Sequence, residues 1–331
     1  MARAPGVPWD QAWQQALYGP AGFFTTGAGP AAHFRTAVHA AAVPLATALV
    51  RLARDHGRTR LLDVGAGRGE LLAAVAGLDA AADLGLHAVD VVPRPAGLPG
   101  RVGWTAGPDG VPPAALDGAL VIAWELLDDV PCPVVEVDDD GGLRTVLVDP
   151  ATGREDLGDP PSPDRLAWCA RWWPLDGAEP GDRAEVGLPR DALWADLVAR
   201  AAATPSGATL LAVDYAHRRA DRPPTGSLTG FRGGRAVPPV PDGSCDVTAH
   251  VALDAVAAAG EAAGAGATLL TDQRAALQAL GLSTGRPSPV SGPGDEGGWQ
   301  ALAVRSAVAE LLDPGALGGF GWLVQHVPGR G

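Results

Sequence analysis

Residues 60–76 place the tightest constraint on what this chain can fold into. A short apolar run, RLLDV, leads into the glycine-rich stretch GAGRG, and an Ala- and Leu-rich helical pattern follows from Glu70. Glycine lets the backbone turn sharply and approach a ligand closely, and the N-terminus of a following helix offers unpaired N–H groups. The sequence therefore predicts a strand, a ligand-binding loop and a helix, with a tight turn that binds nothing as the alternative.

The spacing of the glycines separates two classes of nucleotide-binding loop. A dinucleotide fingerprint, G-x-G-x-x-G, would need its third glycine at the position of Glu70. The glycines stand instead at Gly65, Gly67 and Gly69, behind Asp63. This D-x-G-x-G-x-G pattern resembles that of class I S-adenosylmethionine methyltransferases, so a dehydrogenase built on the same sheet is the weaker interpretation.

Asp90 supplies a second, independent element of such a site. It ends the next predicted strand, LHAVD, and its two carboxylate oxygens can accept both hydroxyls of a ribose. An Asp in this position also starts turns, but together with the glycine loop it favours a nucleoside site. Val91 and the loop near Thr105 are then the predicted neighbours of the base.

Strand-like and helical patterns alternate along most of the chain. Strands are predicted at 60–64, 86–91, 102–104, 119–124 and 209–215, helices at 9–18, 31–56, 191–203, 246–260, 271–280 and 300–312, and a DDDGG turn joins a hairpin of 134–137 and 143–148. Such alternation predicts an α/β fold with a doubly wound, mostly parallel, Rossmann-like sheet of the class I methyltransferase type. Residues 218–245 are predicted to form a long functional loop.

The predicted domain organisation has three parts. Residues 1–57 form an N-terminal helical cover, and residues 58–131 and 205–331 form the methyltransferase core. Residues 132–204 form an inserted hairpin and helical region on the substrate side.

A group of acids follows the strand that ends at Trp124. Glu125 and Asp128 come directly after this strand, with Asp129 next. Ligands of open α/β sheets bind beyond the carboxyl ends of the strands, so these acids are predicted to lie beside the ligand. The alternative is a solvated helix N-terminus, where acids interact favourably with the helix dipole. That alternative explains Asp129 about as well as catalysis does, and Glu125 less well.

Six ordered segments resemble the MidA-type family of S-adenosylmethionine-dependent methyltransferases, which includes the mitochondrial complex I assembly methyltransferases. The segments are GPAGFF (19–24), DVGAGRG (63–69), WELLDDVP (124–131), DYA (214–216), GSLTGF (226–231) and DVTAHVAL (246–253). The resemblance implies S-adenosyl-L-methionine as cofactor, S-adenosyl-L-homocysteine as product, and N-methylation of a protein or peptide side chain, with arginine as the acceptor.

The motifs and the resemblance together predict two sets of site residues. The cofactor set is Asp63, Gly65, Ala66, Gly67, Arg68, Gly69, Asp90, Val91, Thr105, Trp124, Gly22 and Phe24. The catalytic set is Glu125, Asp128, Glu185, Tyr215 and His250. No metal site is predicted, because the histidines lack ligand spacing.

The predicted catalytic roles follow from the acceptor. A guanidinium needs carboxylates that hold it in a bidentate manner, which is the role expected of Glu125, Asp128 and Glu185. His250 is the predicted general base, because a near-neutral pKa suits proton removal. The alternative for His250 is a capping or core role after Asp246 as a helix N-cap. Tyr215 either orients the acceptor or buries its ring.

Three positions depart from the family pattern. Trp124 replaces an Asn, Thr229 replaces an Arg and Ala252 replaces an Asp. All three are expected on the substrate side, whereas the cofactor residues are kept. Two alternatives therefore stand beside protein methylation: a small-molecule methyltransferase of a specialised pathway, and a cofactor-binding assembly or interaction protein whose catalytic positions have drifted.

Composition excludes several other functions. The 331 residues include no Lys, so the chain has neither a Schiff-base lysine nor a P-loop lysine. A net charge of −13 opposes nucleic-acid binding. Cys132, Cys169 and Cys245 show no C-x-x-C pairing, and no apolar run is long enough for a membrane span or a leader. We therefore expect a cytoplasmic protein with no membrane or nucleic-acid partner, and a homodimer is one assembly that the sequence allows.

Overall fold

The computed structural model describes residues 6–26, 37–107, 110–175, 177–285 and 296–331. The strands are β1 (Val7–Pro8), β2 (Arg60–Val64), β3 (Gly85–Asp90), β4 (Val102–Ala106), β5 (Ala119–Trp124), β6 (Val134–Val137), β7 (Leu143–Val148), β8 (Glu155–Leu157), β9 (Arg183–Glu185), β10 (Ala208–Asp214), β11 (Ala216–His217), β12 (Thr229–Arg232), β13 (Arg235–Val237), β14 (Asp246–Thr248), β15 (Val251–Ala252), β16 (Ala267–Asp272) and β17 (Gly321–Val327). The helices are α1 (Trp9–Tyr18), α2 (Phe23–Thr26), α3 (Ala37–Asp55), α4 (Glu70–Ala76), α5 (Pro113–Leu116), α6 (Pro163–Trp172), α7 (Leu188–Ala202), α8 (Leu253–Ala262), α9 (Gln273–Ala279) and α10 (Glu296–Leu311).

The chain divides into two compact units, one of which holds the main sheet. This unit comprises residues 35–124, 200–213 and 266–331, and its seven strands follow the order β16-β17-β10-β5-β2-β3-β4. Strands β10, β5, β2, β3 and β4 pair in parallel, while β16 is antiparallel to β17. The strand order reverses between β2 and β5, which is where an open α/β sheet binds its ligand. The predicted doubly wound, mostly parallel fold is confirmed.

The burial of the central strands explains their composition. Every residue of β5 (ALVIAW) and of β10 (ATLLAVD) is buried, as are four of the five residues of β2. Strands in the middle of a parallel sheet are covered on both faces, so they read as continuous apolar runs. The edge strand β16, by contrast, is largely exposed.

The second unit contains smaller sheets and most of the tryptophans. It comprises residues 1–34, 125–199 and 214–265. One sheet follows the order β1-β7-β6-β9 with β8 added to β7, a second has β12 between β13 and β14, and β11 pairs with β15 in parallel. The predicted hairpin is present as β6 and β7, and its Asp138 accepts N–H bonds from Asp140 and Gly142. The acids of the DDDGG turn therefore stabilise the turn itself.

Several predicted elements differ from the structure. Residues 246–248 form strand β14 rather than the start of a helix, because Val247 and its neighbours are buried against β12. The predicted loop 218–245 contains the hairpin of β12 and β13. The predicted helix 271–280 begins only at Gln273, where Asp272 caps it by accepting the Ala275 N–H at 2.7 Å.

Two further predictions are met only in part. Of the predicted helix 31–56, residues 31–36 lie outside the described ranges, and α3 has a non-helical Ala41 ahead of Pro44. The three-part domain organisation stays a prediction. None of the described helices combines the length and the apolar character that crossing a bilayer requires.

Candidate functional site

The loop between β2 and α4 has the backbone that its glycines predict. Gly65, Gly67 and Gly69 have φ angles of 75°, 59° and 78°, a region that L side chains rarely adopt. The Gly65 N–H donates to the Val89 carbonyl at 2.9 Å, which ties the loop to the end of β3. A Cβ added at Gly67 would find only the Glu70 carboxylate, at 3.8 Å, so the loop presents its backbone to open space.

The remaining loop residues have different surroundings. Ala66 is buried, whereas the Arg68 side chain is exposed and its backbone N–H donates to the Glu70 carboxylate at 3.1 Å. At Gly69 a Cβ would lie 2.8 Å from the Leu98 side chain. Gly69 is therefore required for packing, and Gly67 leaves room for a ligand.

Asp90 lies beside this loop at the end of β3. Its Oδ2 accepts the Gly67 N–H at 2.7 Å and its Oδ1 accepts the Val92 N–H at 3.1 Å. Burial raises the Asp90 pKa, and the backbone N–H bonds oppose that rise. The side chain is half-exposed, and the four lone-pair sites of its oxygens exceed the bonds it makes. Asp90 can therefore accept two vicinal hydroxyls.

Asp63 is the buried acid of the loop. Only 3% of it is exposed, and burial, followed by the charges of Asp90 and Glu70, raises its pKa to about 7. A carboxyl that titrates near neutrality in such a position is stabilised as the anion by an incoming cation. The amino group of an amino-acid ligand would have that effect.

The other predicted cofactor residues of this unit occupy three different environments. Val91 is 47% exposed, and the Thr105 hydroxyl lies 2.9 Å from His87 Nε2. Trp124 is buried, and its ring meets Trp322 edge-on with the centroids 5.6 Å apart. Its indole N–H has no hydrogen-bond partner among the described residues. Val91 and Thr105 accordingly present surface to a ligand, and Trp124 presents an unused donor.

Gly22 and Phe24 lie in the other unit and make packing contacts. A Cβ at Gly22 would lie 2.5 Å from the Leu17 carbonyl oxygen, so a larger residue does not fit. The Phe24 ring packs on Tyr18 and Phe23, with centroids 5.5 and 5.4 Å away. These contacts account for both residues structurally, and their cofactor role stays a prediction.

Glu125 has an unusual backbone at the end of β5. With φ at 49°, it is the only non-glycine residue in the described ranges with a positive φ. The left-handed conformation costs an L residue about 1–2 kcal/mol. Strain of this kind persists where surrounding contacts hold it, and it is concentrated at functional sites.

Asp214 provides those contacts. It ends β10, is fully buried, and its Oδ2 accepts the N–H groups of Leu127 and Asp128 at 2.8 and 3.1 Å. Asp128 in turn accepts the Thr248 hydroxyl at 2.7 Å. The turn that carries Glu125 is therefore fixed by a buried carboxylate from the neighbouring strand.

These acids belong to a buried group of four: Asp128, Asp129, Asp214 and Asp246. Burial, followed by Asp128, raises the pKa of Asp246 to about 8 and that of Asp214 well above its usual range. Burial, followed by Asp246, does the same to Asp129. Each of the four has one buried oxygen without a partner among the described residues. Within the ranges that the structure describes, no group of three or more His, Cys, Asp and Glu side chains could hold a metal ion.

Glu185 anchors a loop. Its carboxylate accepts the Ser227 N–H and hydroxyl, both at 3.0 Å, and the Leu228 N–H at 3.2 Å. It is 3% exposed, and a Cβ at Gly226 would lie 2.4 Å from its Oε1. These bonds hold the segment before β12, and the contact of Glu185 with an acceptor stays a prediction.

His250 lies at the surface and is held by its backbone, while its ring is partly covered. Its N–H donates to Ser227 Oγ at 2.9 Å, and its carbonyl accepts the buried Arg190 guanidinium at 2.9 Å. Its ring stacks on Tyr215, with the centroids 5.6 Å apart. Burial lowers the His250 pKa, which keeps the ring neutral and able to accept a proton. The predicted helix N-cap at Asp246 is wrong, because Asp246 lies in β14 and α8 begins at Leu253.

The structure thus groups Glu125, Asp128, Tyr215 and His250 within one unit, and Asp63, the glycine loop and Asp90 within the other. Sequence reasoning gave no role to Asp214, Arg190 or Ser227. A signal existed for Asp214, because it is the one charged residue of an otherwise apolar strand. For Ser227 the sequence carries no such signal.

Comparisons with known proteins bear on the family and the fold. The model of a family of S-adenosyl-L-methionine-dependent methyltransferases matches residues 78–271. Two crystal structures from Burkholderia thailandensis share the fold at 24% identity. One, a COG1565 superfamily member bound to S-adenosyl-homocysteine, aligns over 98% of this chain and 88% of its own with a TM-score of 0.76. An uncharacterized protein in its native form covers 98% and 87% with a TM-score of 0.74.

No curated protein gives a significant match. The family model nevertheless covers more than half of the chain, and the motifs that resemble the MidA-type family lie on the elements described above. The chain therefore belongs to the S-adenosyl-L-methionine-dependent methyltransferases of this family, and S-adenosyl-L-methionine is its cofactor.

Proposed function

We propose that this methyltransferase modifies a side-chain nitrogen of a protein or peptide, and that the acceptor is the guanidinium of arginine. The observation that carries the proposal is the group of carboxylates around Tyr215. After burial, the charges of Glu125, Asp128, Asp214 and Asp129 raise the pKa of its hydroxyl. The charge of Glu125, which has the largest effect on Tyr215 after burial, favours a cationic acceptor, and a carboxylate holds a guanidinium in a fixed orientation.

The cofactor residues fit the two ends of S-adenosyl-L-methionine. Asp90 would accept the ribose hydroxyls, and Asp63 would face the amino group of the methionine part. The backbone of Gly65 to Gly69 leaves space above Gly67 for the ligand. When bound, the cofactor supplies an electrophilic methyl group on a sulfonium.

Residues of the unit that contains Glu125 and His250 would orient the acceptor and remove its proton. Glu125 would hold the guanidinium, while Asp214 and Asp128 keep the turn of Glu125 in place. The neutral ring of His250 would accept the proton that the methylated nitrogen loses. Orientation of two reactants in this way is worth up to about 7–11 kcal/mol.

The departures from the family pattern bear on the two alternatives. Ala252 is buried in a cluster with Trp168 and Trp173, and Thr229 pairs with Thr248 across β12 and β14. An apolar residue suits position 252, so packing explains Ala252. Drift of the catalytic machinery is not required there. A reducing, cytoplasmic setting belongs to the same proposal, and three buried cysteines that do not pair support it.

The proposal is tested by incubating the purified chain with methyl-labelled S-adenosyl-L-methionine and a cell extract. We expect label in the protein fraction, at arginine. Label only in small molecules would favour the specialised-pathway alternative, and no label in either fraction would favour the assembly protein. An E125Q variant controls for other methyltransferases in the extract, because it should bind the cofactor without transferring label.

A further inference from the structure

The tip of the hairpin formed by β12 and β13 has an unusual sequence for a protein of this charge. The strands are joined by Gly233 and Gly234, whose φ angles of 57° and 77° are those of a tight two-residue turn. Arg232 and Arg235 stand directly opposite each other on either side of this turn. Like charges in directly opposed positions destabilise a strand pair. The tip therefore keeps an arrangement that its own stability does not explain.

The two guanidinium groups of the tip are accessible. Residues 232–236 are all exposed, and neither Arg232 nor Arg235 has an ion pair or a side-chain hydrogen bond among the described residues. Other arginines of the same unit are engaged: Arg183 bonds Glu136 at 2.6 Å, and Arg190 bonds three backbone carbonyls. An enzyme that binds Arg232 or Arg235 would have no internal contact to break.

We propose that Arg232 and Arg235 are methylated by a second copy of this chain, an inference that rests on the proposed arginine specificity. The cofactor bound by the second copy supplies the methyl group, and Glu125 of that copy supplies a carboxylate for the guanidinium. The glycines at the turn add no side chains, so the tip can present an arginine to another molecule with little steric conflict.

The geometry of β12 favours methyl transfer between two molecules over transfer within one. Thr229 of β12 pairs with Thr248, whose hydroxyl binds Asp128, and Arg232 lies three residues farther along the strand. A strand rises about 3.3 Å per residue, so the tip lies about 10 Å beyond this pair and extends away from it. Strand β12 therefore carries Arg232 away from Asp128 of its own chain.

The step is a simple displacement. A guanidinium nitrogen of Arg232 or Arg235 forms a bond to the methyl carbon as the bond from that carbon to sulfur breaks, and the electron pair of the broken bond stays on sulfur. The methylated nitrogen then gives up a proton to His250 or to solvent. The products are a monomethylated arginine, S-adenosyl-L-homocysteine and one proton.

The test is to incubate the purified full chain with S-adenosyl-L-methionine alone and to map methyl groups by mass spectrometry of peptides. We expect methyl groups on Arg232 or Arg235, and a rate per molecule that rises with protein concentration because two copies must meet. The R232K/R235K double variant should incorporate no more label than E125Q. As a matched control, R330K removes a different glycine-flanked, exposed arginine and should incorporate as much label as the wild type.

Limited proteolysis gives a separate readout: the first cut reports the accessibility of the tip, and the effect of the cofactor on that cut reports its methylation. Trypsin should cut the native chain first after Arg232 or Arg235, and pre-incubation with the cofactor should slow this cut, since methylation modifies the residues that trypsin recognises. Early cleavage elsewhere, or methyl groups placed on Arg330 rather than on the tip, would overturn the inference.

Failure of this inference is distinguishable from failure of the proposed function. Methylarginine in extract proteins with an unmodified tip would overturn the inference and leave the arginine specificity intact. Absence of methylarginine from both the extract and the chain would overturn the arginine specificity itself. Methyl groups already present on the tip of E125Q before the incubation would show that another enzyme placed them, and would overturn the inference.

Discussion

Glu125 combines an unfavourable backbone with a chemically important side chain. Its φ of 49° is a conformation that glycine adopts at no steric cost. A chain selected for stability alone would favour glycine here, so the carboxylate is retained for another reason. We infer that the reason is contact with the methyl acceptor.

Two substitutions at this residue separate strain from chemistry. E125Q should abolish turnover and leave the dissociation constant for the cofactor nearly unchanged. E125G should also abolish turnover, but its free energy of unfolding should stay within about 1 kcal/mol of the wild-type value, because relief of strain offsets the added entropy of the unfolded chain. Urea unfolding and a label-transfer assay measure the two effects. D140N, at an exposed acid, is the control, and retained turnover in E125Q would remove Glu125 from the catalytic residues.

Asp63 makes cofactor binding depend on pH. Its pKa of about 7 means that the carboxyl group holds a proton over the acidic range, whereas the amino group of the cofactor prefers the anion. The affinity for S-adenosyl-L-homocysteine should therefore rise between pH 6 and pH 8, by at most about tenfold per pH unit. Calorimetric titrations should show this rise in the wild type and in D79N, an exposed acid of the same unit. A D63N variant with the same pH dependence as the wild type would contradict the assignment.

At the scale of elements, the link between β9 and the segment before β12 depends on one glycine. Gly226 has φ of 72°, and a Cβ there would collide with Glu185 Oε1 at 2.4 Å. Gly233 also has a positive φ, of 57°, but a Cβ there would meet nothing within 4 Å. Alanine substitutions at Gly226 and Gly233 therefore separate the cost of the backbone conformation from the cost of a steric conflict.

We expect a larger loss in the free energy of unfolding at Gly226 than at Gly233. G233A should lower the free energy of unfolding by about 1 kcal/mol, which is the cost of the backbone conformation alone. G226A should lower it by about 2 kcal/mol or more and should reduce turnover, since Glu185 would have to release Ser227 and with it the backbone of His250. Equal effects of the two substitutions in urea unfolding would show that Glu185 does not fix this segment.

The elements that the sequence predicted well are those in which one pattern dominates. The continuous apolar runs of β2, β5 and β10 and the DVGAGRG loop required no long-range information. The start of the predicted helix 246–260 was misjudged, because pairing of Val247 with Gly230 makes residues 246–248 a strand. The local sequence does not contain that partner. For the same reason the role of Asp214, which depends on N–H groups 86 and 87 residues away, was not predicted.

At the scale of the whole molecule, the buried acids should reverse the usual effect of pH on stability. Asp246, with a pKa of about 8, stays protonated in the folded chain up to that pH, but an unfolded Asp loses its proton near pH 4. The unfolded state therefore binds fewer protons between these values, and each such acid lowers the free energy of unfolding by about 1.4 kcal/mol per pH unit.

A buried histidine has the opposite effect on the free energy of unfolding, but only at lower pH. The pKa of His217 is about 3 when folded and about 6.5 when unfolded, so its effect ends near pH 6.5. Between pH 6.5 and pH 8 the cofactor-free chain should thus become less stable as pH rises. The melting temperature measures this decline, which D246N should reduce and D140N should not. A stability that increases over this range would contradict the assignment of buried, protonated acids.

The central claim is that the acidic group around Glu125 directs the methyl group to arginine. The most direct measurement is hydrolysis of the labelled protein fraction followed by amino-acid analysis, for the wild type, D140N and E125Q. The label is predicted to co-migrate with methylarginine for the wild type and D140N and to be absent for E125Q. Label in any other amino acid, or equal methylarginine with E125Q, would contradict the claim.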